Sequence, residues 1–171
     1  ETIETPLLLL ENWNTEYDYA YFTVPQEHCN GRQIHWPRGR VVGGSGSING
    51  MLYVRGHASD YDNWAYMGNP GCDYESVLPY FKKSEDFDQG ESEYHGVGGP
   101  LHVTTDYEIH PTTQRIVDAA LEAGYPFNED YNGADSEGVN FAQMNTKDGK
   151  RHSSAVAFLR PALERSNLSL L

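Results

Sequence analysis

The chain has 171 residues, with 12 Lys plus Arg against 25 Asp plus Glu and a formal net charge of −13. That length allows one domain with a real core, or parts of two. The acidic balance repels phosphate backbones and argues against a nucleic-acid partner, and no stretch approaches the roughly 20 apolar residues of a membrane span.

Two cysteines, Cys29 and Cys72, without a CxxC define no metal site, and their spacing leaves a disulfide and two free thiols equally open. The opening at Glu1 carries no signal-like segment. Asn167-Leu168-Ser169 is a glycosylation sequon that matters only in a secreted chain, so the residues leave localisation open.

In chain order, Pro6–Leu10 is a short apolar run that predicts one or two turns of buried helix before Asn12 and Asn14 end it. Tyr17–Val24 is aromatic and β-branched and reads as extended. Pro25, Gly31 and Pro37 punctuate an irregular stretch that leads to a glycine-rich loop. Beyond that loop, Ser47–Tyr53 predicts the start of a helix capped by Ser45 or Ser47.

Met67–Gly71 is a turn, and Val77, Leu78 and Phe81 give Tyr74–Lys83 an amphipathic helical pattern. The acidic run Ser84–Glu93 reads as a solvated loop rather than a metal site. Gly96–Pro100 is a break and Leu101–Val103 a strand. A helix follows from Pro111 to Ala123, with Ile116, Ala119, Ala120 and Ala123 on one face and Gly124 as its stop. Gly138–Thr146 reads as a strand and His152–Arg160 as a helix entered through a Ser cap. Leu168–Leu171 looks like the beginning of another strand, so the sequence reads as cut.

The most informative segment is Gly39-Arg40-Val41-Val42-Gly43-Gly44-Ser45-Gly46-Ser47-Ile48-Asn49-Gly50-Met51-Leu52-Tyr53-Val54-Arg55-Gly56. Backbone that must approach a ligand closely, or take φ > 0, needs glycine because a Cβ would clash. A run of N–H groups at a helix start suits an anionic or electron-rich ligand. On its own, such a loop is more often a ligand-free turn, because short glycine patterns are weak.

Other chemistries find less support. The seven histidines, His28, His35, His57, His95, His102, His110 and His152, show neither HExxH nor paired Cys/His spacing and for the most part read as surface or turn residues, so no metal site is assigned. Gly44-Ser45-Gly46-Ser47-Ile48 lacks the final glycine of a hydrolase elbow. No G-x-G-x-x-G follows an N-terminal strand.

The glycine loop does not stand alone. Trp36-Pro37-Arg38-Gly39-Arg40, Met51–Gly56, Asp60-Tyr61-Asp62-Asn63-Trp64, Pro79–Glu85, Gly99-Pro100-Leu101 and Arg151–Ala162 occur with it in an order that resembles the glucose–methanol–choline (GMC) flavoprotein oxidoreductases. The wording is nearest to the animal glucose-dehydrogenase-like and choline-dehydrogenase-like branch, and the resemblance spans nearly the whole chain.

That resemblance implies an α/β fold, α+β within this stretch. Residues 1–97 would form part of the FAD-binding domain, without its first βαβ unit. Residues 98–171 would begin the substrate-binding domain, built around an antiparallel sheet, and return towards the FAD-binding domain. It implies FAD as cofactor, held by Arg40, Val42, Gly43, Gly44, Ser45, Gly46, Asn49, Gly50, Met51 and Leu52. Some family members attach FAD covalently through a His just before the Asn; Ile48 stands there, which implies non-covalent FAD.

The resemblance further implies a small-molecule alcohol, sugar or choline as substrate, oxidised by hydride transfer to flavin. The catalytic His and its partner are expected C-terminal to this chain, so no residue here is assigned a catalytic role. The missing N- and C-terminal parts of the same polypeptide are its expected partners, and the branch leans towards a secreted setting. The alternative is a catalytically silent relative that keeps the fold for binding or structure.

Overall fold

The computed structural model describes residues 1–171. The chain divides into two compact units, Glu1–Met51 with Asn145–Leu171, and Leu52–Met144. Residues 97 and 98, the boundary implied by the resemblance, both lie inside the second unit. The class is mixed α/β, with short helices, long irregular connections and three two-stranded ladders.

In the first unit, a 3₁₀ segment covers Pro6–Asn12, entered through Pro6, whose missing N–H costs nothing at a helix start. The fully buried residue of that segment is Asn12; Leu8 and Leu9 are half-buried while Leu7 and Leu10 are exposed, so the expected burial of the leucines is only partly met. The Asn12 amide explains the exchange: Nδ2 donates to the carbonyls of Thr2, Leu8 and Leu9 and closes the segment on itself. Strand β1 (Tyr21–Phe22) pairs antiparallel with β2 (His35–Trp36).

The second unit opens with α1 (Ala58–Tyr66) and α2 (Tyr74–Ser84). His57 and Asp60 form a capping box on α1, and Asp73 Oδ1 accepts the Ser76 N–H at 2.9 Å to cap α2. Strand β3 (Glu85–Phe87) pairs in parallel with β4 (Leu101–Val103).

Helix α3 (Pro111–Glu122) ends as predicted at Gly124, whose φ of +93° allows the Gly124 and Tyr125 N–H groups to reach Leu121 O and Ala120 O. Its buried side chain is Val117, not the Ile116 face, and Ile116 is 64% exposed.

The antiparallel sheet expected after residue 98 is absent as a sheet. Apart from the parallel partner β4, its ladders reduce to isolated bridges and the hairpin of β5 (Thr146–Lys147) with β6 (Lys150–Arg151) in the first unit. The predicted Gly138–Thr146 strand contributes single bridges from Val139 to Phe127 and from Met144 to Leu52 and Thr104. Those partners come from three separate segments, so no continuous ladder forms. A π-helical turn, Ala155–Leu159, runs into α4 (Arg160–Ala162), where a helix was expected.

Six hydrophobic side chains are buried against ten polar or charged ones, so hydrogen-bond networks organise much of the interior. The largest network lies in the second unit and corrects two expectations. Glu85, within the run read as a solvated loop, is 0% exposed, and His95, read as a surface residue, is 1% exposed.

Each explains the other's burial. His95 Nδ1 lies 3.0 Å from Glu85 Oε2, and Nε2 lies 3.0 Å from both Asp130 oxygens. Arg55 Nη2 stands 3.0 Å from Glu85 Oε1, an ionic contact whose angle falls outside hydrogen-bond geometry. Gln143 Nε2 and the Asn132 N–H complete the Asp130 shell, and the Phe87 ring stacks on His95 at 3.9 Å.

Candidate functional site

The approach to the glycine loop is pinned by Asp18. Its carboxylate accepts the N–H groups of Asn14, Ala20 and Arg38, which fixes the backbone just ahead of Gly39. A Cβ on Gly39 would run into the carbonyl oxygen of Gly44, and its N–H donates to Ser45 Oγ at 3.1 Å. Glycine is needed at 39 because the loop folds back over its own entry.

Gly43 and Gly44 follow at φ +91° and +58°. The two glycines differ in what surrounds them. A Cβ on Gly43 would strike Ser47 Oγ and come within 2.9 Å of Ala155 Cβ, whereas one on Gly44 would meet nothing within 4 Å. Gly43 therefore serves internal packing, and Gly44 presents bare backbone outward.

A 3₁₀ turn, Gly44–Ser47, comes next, and Ser47 Oγ ties back to Val42 O at 2.8 Å. The helix expected over Ser47–Tyr53 does not form. Asn49 Oδ1 accepts the Met51 N–H at 3.0 Å, an Asx turn that competes with helix, and Met51 takes φ +61°.

The sequence-predicted residues separate into groups. Arg40, Val42–Gly46 and Asn49–Met51 lie in the first unit; Leu52 is the first residue of the second, 59% exposed and bridged to Met144. Gly44 and Gly50 both offer open faces, and the Asn49 and Gly50 N–H groups donate to no protein acceptor. Met51 is core, 3% exposed, with its carbonyl accepting from Asn145 N. The Arg40 guanidinium lies over the Tyr19 ring at 5.9 Å.

The cation that meets the loop is Arg151, which motif reading placed in a family block but gave no role. Its Nη1 donates to Asn49 Oδ1 at 2.8 Å and to Gly46 O at 3.3 Å, and its Nε to Ile3 O at 2.8 Å. Burial pushes its guanidinium below the usual arginine range. The nearest sequence signal was the block Arg151-His152-Ser153-Ser154, where Ser154 Oγ also donates to Gly43 O.

A cavity of about 450 Å³ adjoins this arrangement, lined among others by Val41, Val42, Ser47, Arg151, Ser153 and Leu159. These features fit a large, electron-rich cofactor laid along the backbone: an outward glycine face, unpaired N–H groups at Asn49 and Gly50, and a buried cation behind them.

Comparison with known proteins agrees in kind. The GMC oxidoreductase family model matches residues 6–171, and the chain belongs to that family. It is 46% identical over 167 residues to the mitochondrial choline dehydrogenase of Mus musculus, covering 97% of this chain and 28% of the relative. Against the oxygen-dependent choline dehydrogenase of Photobacterium profundum the identity is 44%, over 98% of this chain and 30% of that protein.

Among solved structures, pyridoxine 4-oxidase from Mesorbium loti superposes with a TM-score of 0.93 at 34% identity, covering 99% of this chain and 34% of that one. An FAD-dependent oxidoreductase from Chaetomium thermophilum superposes at 0.82 with 28% identity, over 91% of this chain and 29% of that one. The chain thus spans about three tenths of the length of the relatives it matches.

Proposed function

We propose that the full-length protein is an FAD-dependent oxidoreductase acting on the CH–OH group of a small alcohol, and that Gly43–Asn49, with Gly50, is its flavin-facing loop. The observation that carries the reading is the bare, left-handed Gly44 beside the unpaired Asn49 and Gly50 N–H groups. Family membership supplies the class of chemistry.

The chemistry that FAD supplies when bound is acceptance of the hydride leaving the carbinol carbon. The residues of this chain bind and orient. Gly44 and Gly50 let the backbone come close, and the Asn49 and Gly50 N–H groups donate to ligand oxygen or nitrogen. The Arg40 side chain, at the loop's entrance, adds positive charge to its outer side.

The binding is non-covalent, a reading supported by Ile48, which stands where an attaching histidine would be and is 2% exposed. The shared compact unit of Glu1–Met51 and Asn145–Leu171 supports a chain that returns to the FAD-binding side. Choline, named in the relatives, is the first donor to try, with sugars and simple primary alcohols beside it.

The test uses the purified full-length protein under anaerobic conditions. Addition of the donor should bleach the visible flavin band, and acid denaturation should release the flavin from the polypeptide. A protein that binds flavin but is reduced by no alcohol would be a silent relative instead. Flavin that stays with the denatured chain would overturn the non-covalent assignment.

A further inference from the structure

We propose that Arg151 is a positioning residue for the flavin-facing loop: it fixes the Asn49 amide with its NH2 group outward and holds a positive charge against the loop. The proposal rests on the reading of Gly43–Asn49 given above.

Two donors converge on one atom of Asn49. The Met51 N–H reaches it at 3.0 Å and Arg151 Nη1 at 2.8 Å. An amide nitrogen accepts no hydrogen bond, so the atom between two donors must be the oxygen. The Asn49 NH2 group then has no protein acceptor, and because Asn49 is exposed a ligand that reaches it would meet a donor rather than an acceptor.

The charge is the second element. Arg151 is 4% exposed, and no carboxylate lies within ion-pair distance of it. Glu4, an acid on the same cavity wall, pairs with Arg160 at 3.4 Å instead. Two of the Arg151 nitrogens serve carbonyl oxygens of Ile3, Gly46 and Asn49, while Nη2 is buried without any acceptor.

A buried cation with no anion and an unused donor is costly to keep for structure alone. It is matched by a ligand that gains electron density next to it, as a flavin does on reduction. The planar guanidinium is also what allows one side chain to serve three carbonyls at once, which an ammonium could not do in the same geometry.

The experiment measures the midpoint potential and visible spectrum of the bound flavin in the full-length protein. The variants are Arg151→Met, Arg151→Lys, Asn49→Ala, Asn49→Asp and the double change of Arg151→Met with Asn49→Ala. Arg151→Met should lower the potential and shift the visible bands, and Arg151→Lys should recover part of the difference by restoring charge. In the Asn49→Ala background the effect of Arg151→Met should shrink.

Should Arg151→Met fail to fold, Asn49→Asp decides: it keeps the inward oxygen but turns a carboxylate oxygen outward, and the potential should fall. Wild-type potential and spectrum in Arg151→Lys and Asn49→Asp would overturn the proposal, as would an Arg151→Met effect undiminished by Asn49→Ala. Silent Arg151 variants beside responsive Asn49→Ala would sink the positioning role alone. Flavin content and potential indifferent to Asn49→Ala and Gly44→Val would instead sink the loop reading beneath it.

Discussion

The imidazole of His95 and the carboxylate of Glu85 meet at 3.0 Å, with the two side chains 2% and 0% exposed. Carboxylates face both ring nitrogens, so both nitrogens must donate and the ring is an imidazolium. Burial alone would discharge it, but hydrogen bonds to Asp130 and Glu85 outweigh burial and raise its pKa from 6.5 to about 9.

A pH dependence follows from that shift. The folded value lies above the unfolded one, so the stabilisation is fully present below pH 6.5 and is lost as pH rises through about 9. Its size is on the order of 3 kcal/mol if the whole shift is realised. The Asp130 carboxyl is held below the usual range, against burial, first by His95, so on the acid side the same contact fades as Asp130 protonates. Thermal melts of the full-length protein between pH 6 and 9.5 should show this decline, and His95→Gln should flatten it. Parallel curves for both proteins would show that His95 does not titrate in this window.

Removal of Glu85 should be worse than removal of any exposed acid in the same run. Glu85→Gln leaves Arg55 and His95 facing each other's charge inside the second unit. The expected loss is about 3–5 kcal/mol, measured by chemical denaturation, because an uncompensated buried charge remains. Glu93→Gln, at an exposed position, should stay within about 0.5 kcal/mol. Equal effects would mean that the buried network contributes nothing particular.

The loop glycines should respond differently to alanine. Gly39→Ala presses a Cβ into the backbone of Gly44, and Gly43→Ala meets Ser47 and Ala155 at a positive φ. Each should cost roughly 1–3 kcal/mol of stability. Gly50→Ala, with open space and no positive φ, should be neutral to within about 0.5 kcal/mol. Differential scanning calorimetry on the three variants tests the order, and a Gly50 variant as unstable as Gly39→Ala would contradict the geometry.

Local rules placed α2 and α3 along the chain, α2 by its apolar spacing and α3 by Pro111 and Gly124, although the buried face of α3 is Val117 and not Ile116. In the glycine loop only Gly39 answers to backbone nearby, at Gly44; Gly43 and Gly46 face Ala155 and Ser154 from the far end of the chain. What could not be read were pairings across sequence. His95 looked like a surface residue because its partners Glu85 and Asp130 are 10 and 35 positions away. Arg151 reaches Asn49 across 102 positions. The lost helix after Ser47 had a local cause that was missed, the Asn49 side chain capturing the Met51 N–H.

The most direct test of the loop is Gly44→Val in the full-length protein. The φ of +58° costs a β-branched residue on the order of 1–3 kcal/mol, yet no protein atom lies within 4 Å of the new Cβ. Flavin loss beyond that strain would report a group that lies against Gly44 from outside residues 1–171. The measurement is the ratio of flavin absorbance to protein absorbance after purification, with Gly44→Asn, a residue that tolerates this φ, as the control for backbone strain. Gly44→Val should lose most of its flavin while remaining folded, and Gly44→Asn should lose less. Full flavin retention in folded Gly44→Val would mean that Gly43–Asn49 is a turn and not the face that meets the cofactor.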